Sequence, residues 1–216
     1  MRGSLTLLVL LLAGCRTAPT DASRGANELD LGHGIALIRQ GELDGGIDLL
    51  RAELQGTVGD SASRSEAHRW IGHARTLRGD PEGALEEYRA ALELAPSDAW
   101  LHYACGVSWN EMGELELAVA CFTHALELDP RHVKSLQWRG ESCANLGDWC
   151  AAVGDYGRAV ECIESADEET LASWGETRRT LLIRTLELRA DALEALGERE
   201  AAARDRGRAS KLVGGG

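Results

Sequence analysis

Cysteine and histidine are the residues of this chain that could bind a metal ion or act as nucleophiles. The 216 residues include six cysteines and six histidines. Zinc sites and metalloproteases place them at short spacings such as Cys-x-x-Cys or His-Glu-x-x-His, and neither spacing occurs. A Gly-x-Ser-x-Gly elbow and a phosphate-binding glycine loop are also missing from the sequence. The sequence therefore predicts no catalytic residues, no metal site and no cofactor.

Disulfide formation is a second chemistry open to the cysteines. Five of them follow residue 100, and an odd number cannot all pair within one chain: Cys105, Cys121, Cys143, Cys150 and Cys162. Cys143 and Cys150 flank a predicted turn at Gly147 and form the pair that an oxidising compartment would allow. The alternative, which we favour, is that all five serve as small buried apolar residues.

The remaining cysteine, Cys15, ends an apolar segment at the N-terminus. Arg2 supplies a positive charge, residues 5–12 are almost wholly apolar, and Leu12-Ala13-Gly14-Cys15 follows. This arrangement has the layout of a signal peptide and resembles the lipobox of bacterial lipoproteins. The resemblance implies cleavage of residues 1–14 and attachment of diacylglycerol and a further acyl chain to Cys15. The alternatives are a plain secretory signal and a chance cysteine.

The next segment is polar and follows no helical period. Residues 15–26 are therefore predicted to form a lipidated cysteine and a flexible tether. Arg16 rather than Asp follows the cysteine. By analogy with enteric bacteria, this favours the outer membrane, with the protein facing the periplasm. The formal net charge of −12 would repel phosphates, so we expect no nucleic-acid partner.

A set of small and aromatic residues recurs every 34 residues. Gly106, Gly113, Ala118 and Phe122 have equivalents one period earlier and one period later, and those equivalents are Gly72, Gly79, Ala84 and Tyr88, then Gly140, Gly147, Ala152 and Tyr156. A fixed period of this length is typical of stacked helical hairpins. The pattern resembles the tetratricopeptide repeat family. That resemblance implies an all-α, right-handed α-solenoid of helical hairpins with four to five repeats, in which the aromatic residues fill gaps between hairpins.

The frame divides the rest of the chain. The predicted segments are a degenerate repeat at 27–60, three repeats at 65–98, 99–132 and 133–166, an insert at 167–182 and degenerate capping helices at 183–213. Helix starts are expected at a Ser63–Glu66 capping box, at Asp80-Pro81, at Asp148 and at a second capping box, Ser173–Glu176, that would open a helix to Leu196.

The family resemblance also implies a binding groove. In such repeats the first helix presents positions 2, 5, 9, 12 and 13 to a concave face, and the first four of these positions share one side of a helix. The predicted partner-binding residues are Arg69, His73, Trp100, Tyr103, Val107, Asn110, Lys134, Gln137 and Glu141. Trp100 and Tyr103 are expected to be exposed there, where a peptide could bind. The alternative is that Trp100 packs between repeats and the charges are merely solvated.

Together these features predict a membrane-anchored adaptor of the bacterial envelope that binds a protein or peptide in the groove. The alternative function is a self-assembling structural lipoprotein, a homo-oligomer without a peptide groove. An enzyme hidden in the insert at 167–182 has too few residues to assemble an acid, a base and a nucleophile.

Overall fold

The chain folds into helical hairpins that pack side by side as an α-solenoid, which confirms the predicted fold class. The computed structural model describes residues 31–56, 59–174 and 176–214. The predicted signal peptide, Cys15 and the tether lie outside the described residues. All regular structure within them is helical: α1 Gly32–Gln40, α2 Leu43–Gly56, α3 Ser61–Leu77, α4 Pro81–Leu94, α5 Ala99–Glu111, α6 Leu115–Leu128, α7 Val133–Asn145, α8 Trp149–Ser165, α9 Glu168–Trp174, α10 Arg178–Ala195 and α11 Arg199–Gly214.

Five hairpins are closed by tight turns that contain a glycine. Each of these glycines has a positive φ, between 76° and 88°, which side chains with a Cβ rarely adopt. The five residues are Gly41, Gly79, Gly113, Gly147 and Gly197. The hairpins formed are α1–α2, α3–α4, α5–α6, α7–α8 and α10–α11, and neighbouring hairpins pack on one another through α2–α3, α4–α5, α6–α7 and α8–α10.

Within the three regular hairpins an aromatic ring lies directly against a glycine of the partner helix. A Cβ added to Gly106 would lie 2.5 Å from the ring of Phe122, which is fully buried. Gly72 faces Tyr88 and Gly140 faces Tyr156 in the same way. The Phe122 ring also stacks on Trp138 of the next hairpin, with 6.5 Å between centroids. The aromatic residues therefore fill space both inside their own hairpin and toward the next one.

Two of the predicted helix starts are confirmed and two are wrong. The side chains of Asp80 and Asp148 accept hydrogen bonds from the backbone N–H groups three residues later, so each caps its helix. α3, however, is capped by Asp60, which accepts from the N–H of Ser63 at 2.6 Å. A carboxylate three residues upstream takes the role that the capping box assigned to Ser63.

The predicted helix from Ser173 to Leu196 is also wrong at its start. Ser173 lies in the short helix α9, and α10 begins at Arg178 with Thr177 as its cap. Arg178 donates to the backbone oxygens of Ile163, Glu164 and Ala166 at 2.7–2.9 Å. These carbonyls belong to the last turn of α8 and its C-cap residue, where the helix itself supplies no donor, so the guanidinium satisfies them.

Two buried ion pairs join the helices of the last two hairpins. Arg139 binds Asp155 through two hydrogen bonds of 2.6 and 2.7 Å, and Arg189 binds Asp205 with the same geometry. Both pairs are sixteen residues apart. Arg139 also donates to Thr123 of the preceding hairpin at 3.0 Å. Within the described residues, none of the helices is both long and apolar enough to cross a bilayer.

The glycine–ring contact predicts the effect of adding a single methyl group. We expect Gly106→Ala to lower the free energy of unfolding by about 1–3 kcal/mol, because the rigid Phe122 ring has no room to move. Gly154→Ala is the matched control, since Gly154 lies in the exposed surface of α8 and its added Cβ would contact nothing. It should raise the same free energy by about 0.5–1 kcal/mol through helix propensity.

Urea denaturation followed by circular dichroism measures both variants. Equal stability of Gly106→Ala and the native chain would contradict the close contact.

A tryptophan and arginine cleft between the second and third hairpins

Three of the predicted groove residues come together in one cleft. Arg69 and His73 lie on α3, Trp100 lies in the first turn of α5, and all three line a cavity of about 310 Å³. The fourth wall is Trp70, also on α3. We call this cavity, bounded by Arg69, Trp70, His73 and Trp100, the tryptophan cleft.

Each indole of the cleft is covered by a guanidinium. The Arg69 Cζ atom lies 5.3 Å from the ring centroid of Trp100, and the Arg39 Cζ atom lies 5.0 Å from that of Trp70. Cation–π contacts of this kind contribute about 0.5–1 kcal/mol at exposed sites. Arg39 stands at position 13 of the first repeat, one of the five groove positions. One cation, Arg69, therefore lines the cleft, and a second, Arg39, lies over the Trp70 ring, in a chain with a net charge of −12.

The core of the hairpins fixes the position of Trp100. Its ring packs edge-on against Tyr88, with 5.8 Å between centroids and an 82° angle between planes. Tyr88 in turn lies against Gly72, and its hydroxyl is 3.1 Å from Thr76 Oγ1. Burial raises the pKa of Tyr88 to about 12, so it stays neutral. Trp100 is thus held on one side and open to the cleft on the other.

His73 and Glu66 complete the surroundings of Trp70. The ring of His73 makes an edge contact with Trp70 at 5.7 Å. Burial, and secondly the charge of Arg69, lower the pKa of His73 below its usual value, so it is neutral at pH 7. Glu66 accepts from Trp70 Nε1 at 3.4 Å and from Arg69 at 3.5 Å. Both contacts are long, and Glu66 is exposed.

Tyr103 does not stand free in a groove as the sequence analysis expected. It is half-buried, with its ring 6.0 Å from Phe122 and 5.1 Å from His132. Burial raises its pKa, and a hydrogen bond with Trp138 opposes that shift. Trp100 is also half-buried rather than fully exposed. Both rings are partly used for packing between hairpins.

Gln137, another expected groove residue, is buried. Only 1 % of it is exposed, and its amide donates to Thr185 Oγ1 of α10 at 2.7 Å. The helix of the next hairpin therefore covers this position, so Gln137 cannot contact a partner in this structure. Among the described residues, its Oε1 atom has no hydrogen-bond partner.

The other four predicted residues lie along α5 and α7. Val107 and Glu141 are half-buried, and Lys134 is exposed. Asn110 donates to Ser142 Oγ at 2.9 Å and so joins α5 to α7. All four keep some exposed surface, but the Asn110 amide is already bound to Ser142.

The cysteines after residue 100 are all free thiols in the structure. Cys143 is buried and Cys150 is exposed, and no bond joins them. Burial raises the pKa of Cys105 to about 12, with a smaller contribution from neighbouring Cys121. A thiol of this kind is a poor nucleophile at neutral pH. Within the residues that the structure describes, no three His, Cys, Asp or Glu side chains cluster as a metal site would require.

Two larger depressions, each of about 430 Å³, lie beside α8. Their linings include the ion pairs Arg139–Asp155 and Arg189–Asp205. Because these charges already satisfy one another, the depressions offer a partner less than the tryptophan cleft does.

The repeat pattern identifies three of the residues that line the cleft but not Trp70. It also does not identify Arg39, which lies over the Trp70 ring. Trp70 stands at repeat position 6, outside the groove positions, and it reaches the cleft beside His73, three residues further along α3. Position 13 of the degenerate first repeat would indicate Arg39 as a groove residue. That repeat matches the pattern poorly, so its groove positions are not evident from the sequence.

Comparison with known proteins identifies the repeats. A family model described as TPR repeat matches residues 72–108, and one described as Tetratricopeptide repeat matches residues 111–168. The chain is 36% identical over 69 residues to Protein NPGR2 of Arabidopsis thaliana. That match spans 32% of this chain and only 9% of the plant protein.

Solved structures share the fold at low identity. A crystal structure of MamA superposes with a TM-score of 0.68 at 19% identity, covering 83% of this chain and 93% of MamA. BtubC (BKLC) from P. vanneervenii gives a TM-score of 0.73 at 16% identity, covering 84% and 77%. The two matched repeat segments support a protein–protein interaction scaffold.

The burial of His73 predicts a pH dependence of stability. Its pKa is lowered in the folded chain relative to about 6.5 in the unfolded chain. The unfolded state therefore binds more protons as the pH falls below about 6.5, and folding stability decreases there. We expect His73→Gln to remove part of this decrease.

Urea denaturation of both chains at several pH values between 5 and 8 measures the effect. A His73→Gln variant whose stability falls as steeply with pH as that of the native chain would show that His73 is not buried against its neighbours.

Proposed function

We propose that this chain is a membrane-anchored scaffold of the bacterial envelope that binds a protein partner through the tryptophan cleft and the adjoining surface of α5. The observation that carries the proposal is the convergence of Arg69, His73 and Trp100 on one open cavity. Aromatic and arginine side chains dominate the energetics of protein interfaces. The tetratricopeptide repeats at 72–108 and 111–168 support the same class of function.

The partner surface would be short. The cleft lies between α3 and α5. Val107 follows Trp100 by two turns on the same side of α5 and is half-buried. At the end of α5, Asn110 is bound to Ser142, and on α7 Gln137 is covered by α10. We therefore expect the partner to contact mainly the second and third hairpins, and to reach Lys134 and Glu141 only at its edge.

The membrane anchor belongs to the proposal and rests on sequence alone. Arg2, the apolar residues 5–12 and the Leu-Ala-Gly-Cys ending at Cys15 support cleavage and lipid attachment. Two or more acyl chains would hold the protein stably where one gives only marginal binding. The tether at 16–26 would keep the scaffold near the membrane, in the periplasm if the outer membrane is its location.

Photo-crosslinking in the native cells tests partner binding. We expect a photoreactive amino acid in place of Val107 to capture a discrete partner, because Val107 is partly accessible and lies two turns after Trp100 on the same side of α5. The matched control places the same probe at Ala120, which is exposed on α6, and should capture much less.

The identity of the crosslinked protein distinguishes the scaffold function from the self-assembling alternative. A partner identified by mass spectrometry at position 107 but not at position 120 supports the scaffold. Crosslinks to a second copy of this chain alone would favour the self-assembling alternative. The absence of any crosslink at position 107 would contradict the proposed binding surface.

Labelling with an alkyne analogue of palmitate tests the anchor. The native chain should incorporate the label and sediment with membranes, because acyl chains are joined to Cys15. Cys15→Ala should lose both the label and the membrane association, whereas Cys150→Ala, at an exposed cysteine of α8, should keep both. An unlabelled native chain would contradict lipidation, but it would not bear on partner binding at the tryptophan cleft.

A further inference from the structure

The tryptophan cleft has the size and walls of a side-chain pocket. Its volume of about 310 Å³ is at the lower end of the roughly 300–1,000 Å³ typical of ligand sites. Two indole rings and the neutral ring of His73 form most of the wall. Apolar walls in a small cavity favour one large apolar side chain, and an aromatic side chain can pack against indoles edge-to-face.

The charge at the rim of the cleft is positive. Arg69 lies over the face of Trp100, and 35% of its side chain is exposed. Because part of this guanidinium is exposed, a carboxylate can bind its N–H groups through paired hydrogen bonds. Arg39 adds a second positive charge over Trp70, and His73 adds none while it is neutral.

The acidic neighbour of Arg69 is a weak competitor for this position. Glu66 reaches Arg69 through one contact of 3.5 Å, and its side chain is 47% exposed. An exposed ion pair of this length contributes little, so a partner carboxylate can replace it at small cost. In an otherwise acidic chain, the cleft is thus a local positive site.

Resting on the proposed function, we propose that the tryptophan cleft recognises a peptide segment of the partner in which a large apolar side chain and a carboxylate lie on the same face. The apolar side chain, aromatic for preference, fills the space between Trp70 and Trp100. The Asp or Glu carboxylate binds Arg69. Neutral or basic segments fail to pair with Arg69 and are rejected.

Selection from a random-peptide phage library on the full chain tests this recognition. We expect the enriched sequences to combine Asp or Glu with Phe, Tyr, Trp or Leu. The best peptide is then synthesised with a fluorescent label, and its binding is measured by anisotropy. A second peptide replaces its Glu or Asp by the corresponding amide.

A double-mutant cycle assigns the carboxylate to Arg69. Arg69→Gln should weaken binding of the acidic peptide by about tenfold or more, as expected for the loss of a charge-assisted hydrogen bond. The same variant should not change binding of the amide peptide. Arg204→Gln is the matched control, because Arg204 is exposed on α11 far along the chain, and it should bind both peptides as the native chain does.

Each contrary outcome overturns the inference separately from the scaffold function. Enriched peptides without an acidic residue, no enrichment of any sequence, or equal binding by Arg69→Gln with an unchanged circular dichroism spectrum would each contradict it. Occupation of the cleft by a second copy, seen as a dimer that Arg69→Gln dissociates, would also contradict it. In all of these cases the crosslink at position 107 still decides whether the surface binds a protein.

Discussion

The close contact between a glycine and an aromatic ring inside each regular hairpin is the constraint on which the rest of the structure depends. Gly106 and Phe122 illustrate it, because a single added Cβ would collide with the ring. The absence of a side chain lets the two helices approach closely, and the ring then fills the space beside them. The rings of Tyr88 and Phe122 also contact a tryptophan of the next hairpin, so the packing inside one hairpin helps to fix the position of the next.

The candidate site is a direct extension of this packing. Tyr88 lies against Gly72 on one side and against Trp100 on the other. Trp100 is therefore anchored at its inner edge by the core, while its outer face meets Arg69 and the cleft. A rigid aromatic wall loses little conformational entropy when a partner binds, which favours affinity. The chain thus uses one aromatic contact for stability and offers the neighbouring ring for recognition.

The arginine side chains have two roles: some stabilise the fold, and others lie at the tryptophan cleft. Arg139 and Arg189 are bound to buried aspartates. Each of these ion pairs joins the two helices of its own hairpin, α7–α8 or α10–α11. Arg178 donates hydrogen bonds to backbone carbonyls at the end of α8. Arg39 and Arg69 instead lie over indole rings, and Arg69 has only a long contact with Glu66 among its described ion pairs. Arginines of the same type therefore differ in function according to what already satisfies them.

The sequence by itself determined the helical repeat, its period, the turns at Gly79 and Gly147 and the caps at Asp80 and Asp148. These features follow from local rules, since glycine adopts positive φ and aspartate caps helix N-termini. It also placed Arg69, His73 and Trp100 on one surface, because positions in a repeat have fixed directions.

Only the tertiary structure decided which of those residues remain open. Gln137 and Trp100 both stand at groove positions, yet α10 covers the first and leaves the second bordering a cavity. The departure arises after Ala166, where the period ends and the short helix α9 is inserted before α10, which begins at Arg178. A period describes what repeats, whereas the packing of an irregular segment depends on contacts between residues distant in sequence. For that reason the sequence could place Arg69, His73 and Trp100 on one surface, but it could not show which of the other predicted residues are covered.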